Sequence, residues 1–156
     1  MNAVEGVVWN LEEIRRRSLI VWESIPAEYL DWRPDSDAMS VKDMIRHVLD
    51  SERYYHLALL NEGSVADYES PYDKREFTTL KEELGFSEPY RKAFMDTVRS
   101  YSPEDLSNIK IDRSDVGYIR ALGDMLLRIA YHEAVHTGQL LDYLRSAGVK
   151  RPKIWD

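Results

Sequence analysis

The chain has no cysteine, which removes disulfide bonds, thiolate metal sites and a cysteine nucleophile of its own. Any thiol chemistry would have to bring its thiol from outside. Basic side chains are outnumbered, 21 against 28 acidic, and the formal net charge of −7 argues against nonspecific binding to a phosphate backbone. No nucleic-acid partner is expected, and the local run Arg15-Arg16-Arg17 reads as a solvated helix face. No apolar stretch approaches the length of a membrane span, and Met1-Asn2-Ala3-Val4-Glu5 lacks the charged and apolar regions of a signal peptide. A soluble cytoplasmic protein with no membrane partner is the expectation. No repeat, low-complexity tract or linker divides the chain, and 156 residues suffice for one domain with its own core.

Histidine is scarce, with four residues, yet two fall together in Tyr131-His132-Glu133-Ala134-Val135-His136-Thr137-Gly138-Gln139. On a helix His132 and His136 are one turn apart, about 6 Å along the axis, so both imidazoles leave the same face. Two neutral imidazoles on one face are half of a metal site. The run also reads His-Glu-x-x-His, in which zinc peptidases use the two histidines as ligands and the glutamate as general base. Such a peptidase takes its third ligand from further down the chain. Here the residues from Thr137 to Asp156 contain neither histidine nor glutamate, and only Asp142 and Asp156 are acidic. The third ligand is therefore to be sought upstream.

Apolar positions at helical spacing predict a first helix from Val4 to Ser24, closed by Pro26. The segment 25–34, with two prolines and Trp32, reads as an ordered connection with Trp32 against a helix end. Ser40 is a plausible N-cap for a second helix through Met44, Ile45, Val48, Leu49 and Tyr55 to about Asn61, with Gly63 as stop. His47 lies toward the edge of its apolar stripe and His56 nearer the centre. Periodicity alone favours His56 as the inward residue without deciding which one meets the later pair. Residues 63–77 read as a loop flanking a pocket entrance. Thr79-Leu80-Lys81-Glu82 is a capping box opening a third helix to about Tyr101, with a break or kink expected at Gly85 and Pro89. Residues 109–120 read as extended or irregular. A last helix runs from about Ala121 to Gly148, with Pro152 beyond. Four long amphipathic segments predict an all-α four-helix bundle with long inter-helix connections, whose inward side chains can build a metal site.

Taken in order, these pieces resemble the DinB-like family of the DinB/YfiT metalloenzyme superfamily. The resemblance rests on Trp9-Asn10, the run from Ile25 to Pro34, Ser40-Val41-Lys42-Asp43-Met44-Ile45-Arg46-His47, the run from His132 to Leu140, and Tyr143-Leu144-Arg145-Ser146-Ala147-Gly148. It covers nearly the whole chain. One departure stands out: the family commonly has arginine between the second histidine of the pair and Gly-Gln, where this chain has Thr137.

The resemblance implies a single four-helix-bundle domain over residues 1–156 with a divalent metal held by His47, His132 and His136. It makes His56 a packing or surface histidine. It also implies a homodimer and a small-molecule substrate. A three-histidine site leaves coordination positions open, and zinc or nickel suits imidazole ligands better than magnesium does. Glu52, Glu133 and Gln139 are candidates to orient the imidazoles, with Glu133 a candidate catalytic base. The leading functional expectation is a metal-dependent S-transferase that uses an external low-molecular-weight thiol against a small electrophile. The alternatives are a hydrolase using metal-activated water and a non-catalytic, metal-binding dimeric stress protein.

Overall fold

The computed structural model describes residues 1–156. Four long helices dominate: α1 (Ala3–Ser24), α2 (Val41–Leu60), α3 (Leu80–Ser100) and, after the one-turn helix α4 (Asp105–Asn108) and strands β1 (Lys110–Arg113) and β2 (Tyr118–Ala121), the long α5 (Leu122–Ser146). The four-helix bundle expected from the periodicity is present, with one short antiparallel hairpin added where extended chain was expected. No helix is long and apolar enough to cross a membrane.

Local chemistry explains the boundaries. Ser40 and Thr79 cap α2 and α3 by accepting from the backbone N–H of Asp43 and Glu82, each at 3.2 Å. The box at Thr79 is only half made, because the Glu82 carboxylate takes the hydroxyl of Thr78 instead. A full capping box forms at Asn2 and Glu5, which open α1. No break occurs at Gly85 and Pro89; α3 runs unbroken through both.

Side-chain pairs fix the helix directions. Arg15 meets Glu133 and Ser18 meets Thr137, so α1 and α5 run parallel. Arg46 meets Glu83 and His56 meets Thr97, so α2 and α3 also run parallel. His47 meets His132 while Tyr55 meets Arg128, so α2 opposes α5. The order is thus up, down, down, up, and residues 61–79 must return the full length of the bundle. They form an ordered strap along α2 rather than a free loop. The hydroxyl of Tyr68 donates to Asp50, Arg46 donates to the Arg75 carbonyl, and Tyr72 and Phe77 are buried. The connection 25–34 lays Trp32 edge-on against Tyr143 of α5, at 5.4 Å between ring centroids.

The apolar core falls into two clusters. One centres on Trp22, Ile45, Tyr72 and Leu144. The other centres on Leu11, Phe94, Ile111 and Leu126. Between them lies a layer to which each long helix contributes one charge: Arg15, Glu52, Arg91 and Glu133. That layer sits next in sequence to His132, so the fold's polar seam and its histidine cluster share one level.

Candidate metal centre

Because α2 and α5 are antiparallel neighbours, His47 is carried against the histidine pair on the facing helix. The Nε2 atom of His132 lies 3.1 Å from Nε2 of His47 and 3.1 Å from Nε2 of His136. One donor nitrogen from each residue falls within 4.8 Å of the others, and no carboxylate joins the group. All three side chains are half-buried. His56, which the stripe alone favoured, is elsewhere. It is buried with its Nε2 2.8 Å from the hydroxyl of Thr97 and its ring against Phe94, as a packing residue.

Hydrogen bonding alone cannot satisfy this arrangement. Nδ1 of His136 donates to Oε1 of Gln139 at 2.7 Å, which leaves its Nε2 as a bare lone pair facing His132. A proton on Nε2 of His132 serves one neighbour and leaves the other contact unmade. A cation accepts all three lone pairs. Zinc–imidazole bonds of about 2.1 Å in tetrahedral array separate donor nitrogens by about 3.4 Å, and the two spacings to His132 are close to that. Burial, then the neighbouring His136, His47 and Arg128, push the His132 imidazole down to about 4. Burial and His136 push His47 down as well, against the pull of Asp50. These two rings are therefore neutral at neutral pH, as ligation requires.

The supporting residues differ from the sequence expectation in two places. Glu133 does not act on the imidazoles, because both of its oxygens accept from Arg15, at 2.7 and 3.0 Å. Burial alone would push this carboxyl up, but the charge and hydrogen bonds of Arg15 outweigh it and hold it below its usual range. It is accordingly no candidate for the general base of a His-Glu-x-x-His peptidase. Glu52 likewise turns inward, accepting from Arg15 at 3.2 Å and from Arg91. Of the three candidates to orient the imidazoles, Gln139 alone bonds to a histidine.

Arg15 is itself a correction, being buried rather than part of a solvated basic face; Arg16 and Arg17 do pair outward with Glu13. A signal for it existed. Arg15 and Ser18 fill the gap between Leu11 and Trp22 in the stripe that α1 turns to the core. Thr137, at the position where the resemblance leads one to expect arginine, is buried on the core side. Its hydroxyl meets that of Ser18 at 2.8 Å and ties α5 to α1.

Comparison with known proteins agrees with this architecture. The family model of the DinB superfamily matches residues 10–140. No curated protein matches the chain. Among solved structures, a DinB-like protein of Bacillus subtilis, YjoA, superposes with a TM-score of 0.70 at 18% identity, covering 97% of this chain and 99% of that one. YfiT of Bacillus subtilis, described as a probable metal-dependent hydrolase with an unusual four-helix bundle topology, superposes with a TM-score of 0.77 at 13% identity, covering 94% and 89%. With its matched span taking in α2, α3, the hairpin and the histidine pair, the chain belongs to the DinB superfamily.

Proposed function

We propose that His47, His132 and His136 hold a divalent metal, zinc or nickel, and that the protein is a metal-dependent enzyme acting on a small molecule. The observation that carries this is the convergence of three Nε2 atoms from two antiparallel helices with no acid among them. An ion held by three imidazoles has positions left for exchangeable ligands, and it lowers the pKa of a thiol or water that binds there. Within that class the first reading is an S-transferase. The chain has no cysteine, so the sulfur comes from an external low-molecular-weight thiol. Its sulfur forms a bond to an electrophilic carbon, the leaving group departs with its electron pair, and the thiol proton is released to solvent.

A second reading, hydrolysis by metal-activated water, has one specific observation in its favour, the description of the structurally similar YfiT as a probable metal-dependent hydrolase. Pairing of two copies belongs to the same proposal. Exposed Leu127, Tyr131 and Val135, spaced four apart on α5, give it an apolar face.

The test compares zinc- and nickel-loaded protein with His47→Ala on a panel of thiols and an electrophile, then on esters and amides without thiol. A thiol-dependent rate lost in the variant supports transfer. Cleavage without thiol supports hydrolysis. Metal binding with neither rate removes the enzymatic reading.

A further inference from the structure

Beside the histidines lies a group of side chains that the metal reading does not use. The Tyr55 ring packs edge-on to His132 at 6.0 Å between centroids. Arg128, one helical turn before His132 on α5, donates from Nη1 to the Tyr55 hydroxyl at 3.1 Å and lies over the Tyr118 ring at 4.8 Å. Arg113, at the end of β1, stacks over Tyr54, Tyr55 and Tyr118 at 5.2 to 5.7 Å. It donates to the hydroxyls of Tyr118 and Tyr54 at 2.5 and 3.4 Å and to Ser64 at 3.3 Å. All five of these arginine and tyrosine side chains are half-buried.

Two features set this group apart. First, its donors outnumber the acceptors within it. Each of the three phenol oxygens receives a guanidinium N–H, so each phenol proton points away from its arginine and finds no acceptor in the protein. The hydroxyls of Tyr68 and Tyr143, by contrast, donate to Asp50 and to the Met39 carbonyl. Arg128 spends one of its five N–H donors on protein. Second, the two charges have no counter-ion. Arg15, Arg46, Arg91 and Arg120 lie against carboxylates, whereas Arg113 and Arg128, like Arg53 and Arg75, do not; what distinguishes these two is that they share one set of phenols beside the histidines. The acids around the group are engaged elsewhere: Asp50 by Tyr68, Asp115 by Ser64 and Asp124 by Arg120. Guanidinium groups stacked on phenol rings, with phenol protons to spare, match the fork geometry of a carboxylate or phosphate.

We propose that Arg113 and Arg128, with the hydroxyls of Tyr54, Tyr55 and Tyr118, form a subsite for an oxyanion of the substrate, a carboxylate or phosphate, about one helical turn from the imidazoles. As a statement about substrate it rests on the reading of the three histidines as the reaction centre. The subsite would hold the anionic end of a small molecule and leave its reactive atom facing His47, His132 and His136. An uncharged substrate would leave two half-buried cations unpaired on every turnover, so the enzyme should discriminate strongly for anions.

The test is calorimetric titration of the full metal-free chain with malonate and with inorganic phosphate, repeated on Arg128→Gln, Arg128→Lys and the Tyr55→Phe/Tyr118→Phe double variant. Saturable binding of at least one anion is expected, weakened about ten-fold or more by Arg128→Gln and partly restored by Arg128→Lys, which keeps the charge and loses the fork. The double variant removes only hydroxyls and is expected to weaken binding several-fold, so it still tests the subsite should Arg128→Gln fail to fold. No saturable binding by the wild-type chain, or equal binding by the variants, overturns the proposal. Zinc titration of the same proteins separates the two readings. A wild-type chain that binds malonate through Arg128 but takes no zinc keeps the anion subsite and loses the metal centre. A chain that takes zinc normally but shows no Arg128-dependent anion binding does the reverse.

Discussion

Arg15 and Glu133 form a two-pronged ion pair inside the bundle, with Nε to Oε1 at 2.7 Å and Nη2 to Oε2 at 3.0 Å, both side chains almost fully buried. The pair locks α1 to α5 one residue away from His132, and through Glu52 and Arg91 it reaches the other two long helices. Breaking such a pair leaves an uncompensated buried charge, which costs about 3–5 kcal/mol, whereas replacing both partners with apolar groups of similar volume can be nearly neutral. Glu133→Ala is therefore expected to lower unfolding stability by about that amount. The double variant Arg15→Met/Glu133→Leu is expected to recover much of the loss. Urea denaturation of the metal-free protein measures both, and equal loss in single and double variants would contradict the account.

The same pair makes stability pH-dependent in a definite direction. The folded-state pKa of Glu133 lies below its usual value, so its contribution is complete above the unfolded carboxylate pKa and disappears as pH falls through the folded one. The histidines add a loss at milder acidity. His132 is pushed down to about 4, so between its ordinary value of 6.5 and that point the unfolded chain takes up a proton the folded chain refuses. Metal-free protein should thus become progressively less stable from pH 6.5 downward, and His132→Asn should flatten that part of the curve. Thermal melts at half-unit pH steps check it, and a melting temperature indifferent to pH between 4.5 and 6.5 would contradict it.

Metal loading should separate His47 from His56. A ligand that binds only the folded state at a hundred times its Kd stabilises by about 2.7 kcal/mol, so zinc is expected to raise the melting temperature of the wild-type chain clearly. That rise should vanish in His47→Ala and persist in His56→Ala. The second variant should instead start from a lower metal-free stability, because it empties a buried site against Phe94 and removes the bond between α2 and the Thr97 hydroxyl. Metal analysis of the purified proteins gives the matching stoichiometry.

Much of this is legible in the residues, and the rest is hidden for identifiable reasons. The four long helices follow from apolar periodicity and from caps such as Ser40, whose signals are local in sequence. His132 and His136 need only helical spacing to share a face. His47 is not decidable that way: it sits at the edge of its stripe, and only the antiparallel packing of α2 on α5 brings it to the pair. Glu133 and Glu52 read as supports for the imidazoles because helical neighbourhood cannot tell a carboxylate facing a histidine from one facing an arginine on a distant helix. The strap carries the apolar residues Tyr72 and Phe77 without any period, since a segment that crosses the bundle as irregular chain has no repeat to show. The grouping of Arg113 with Arg128 likewise depends on a hairpin whose register is a tertiary fact.

Gly63 is where the hairpin is fastened to α2, and it offers a test of the tertiary arrangement. A Cβ built there would lie 2.8 Å from the carbonyl oxygen of Asp112, a backbone atom that cannot simply turn aside. Gly63 makes a bridge to Asp112, flanked by hydrogen bonds from Ser64 N–H to the Asp112 carbonyl at 3.2 Å and from Asp112 N–H to the Glu62 carbonyl at 2.9 Å. Gly63→Ala should push β1 outward and cost about 1–3 kcal/mol. Gly6→Ala, with nothing within 4 Å of the new methyl in α1, should be neutral or stabilising by up to about 1 kcal/mol. Because β1 ends in Arg113 while the three histidines sit on α2 and α5, Gly63→Ala should also weaken malonate binding and leave zinc binding close to wild type. If both fall together, the hairpin is not an independent wall of the site; if neither falls, the close approach of Gly63 to Asp112 does not position Arg113.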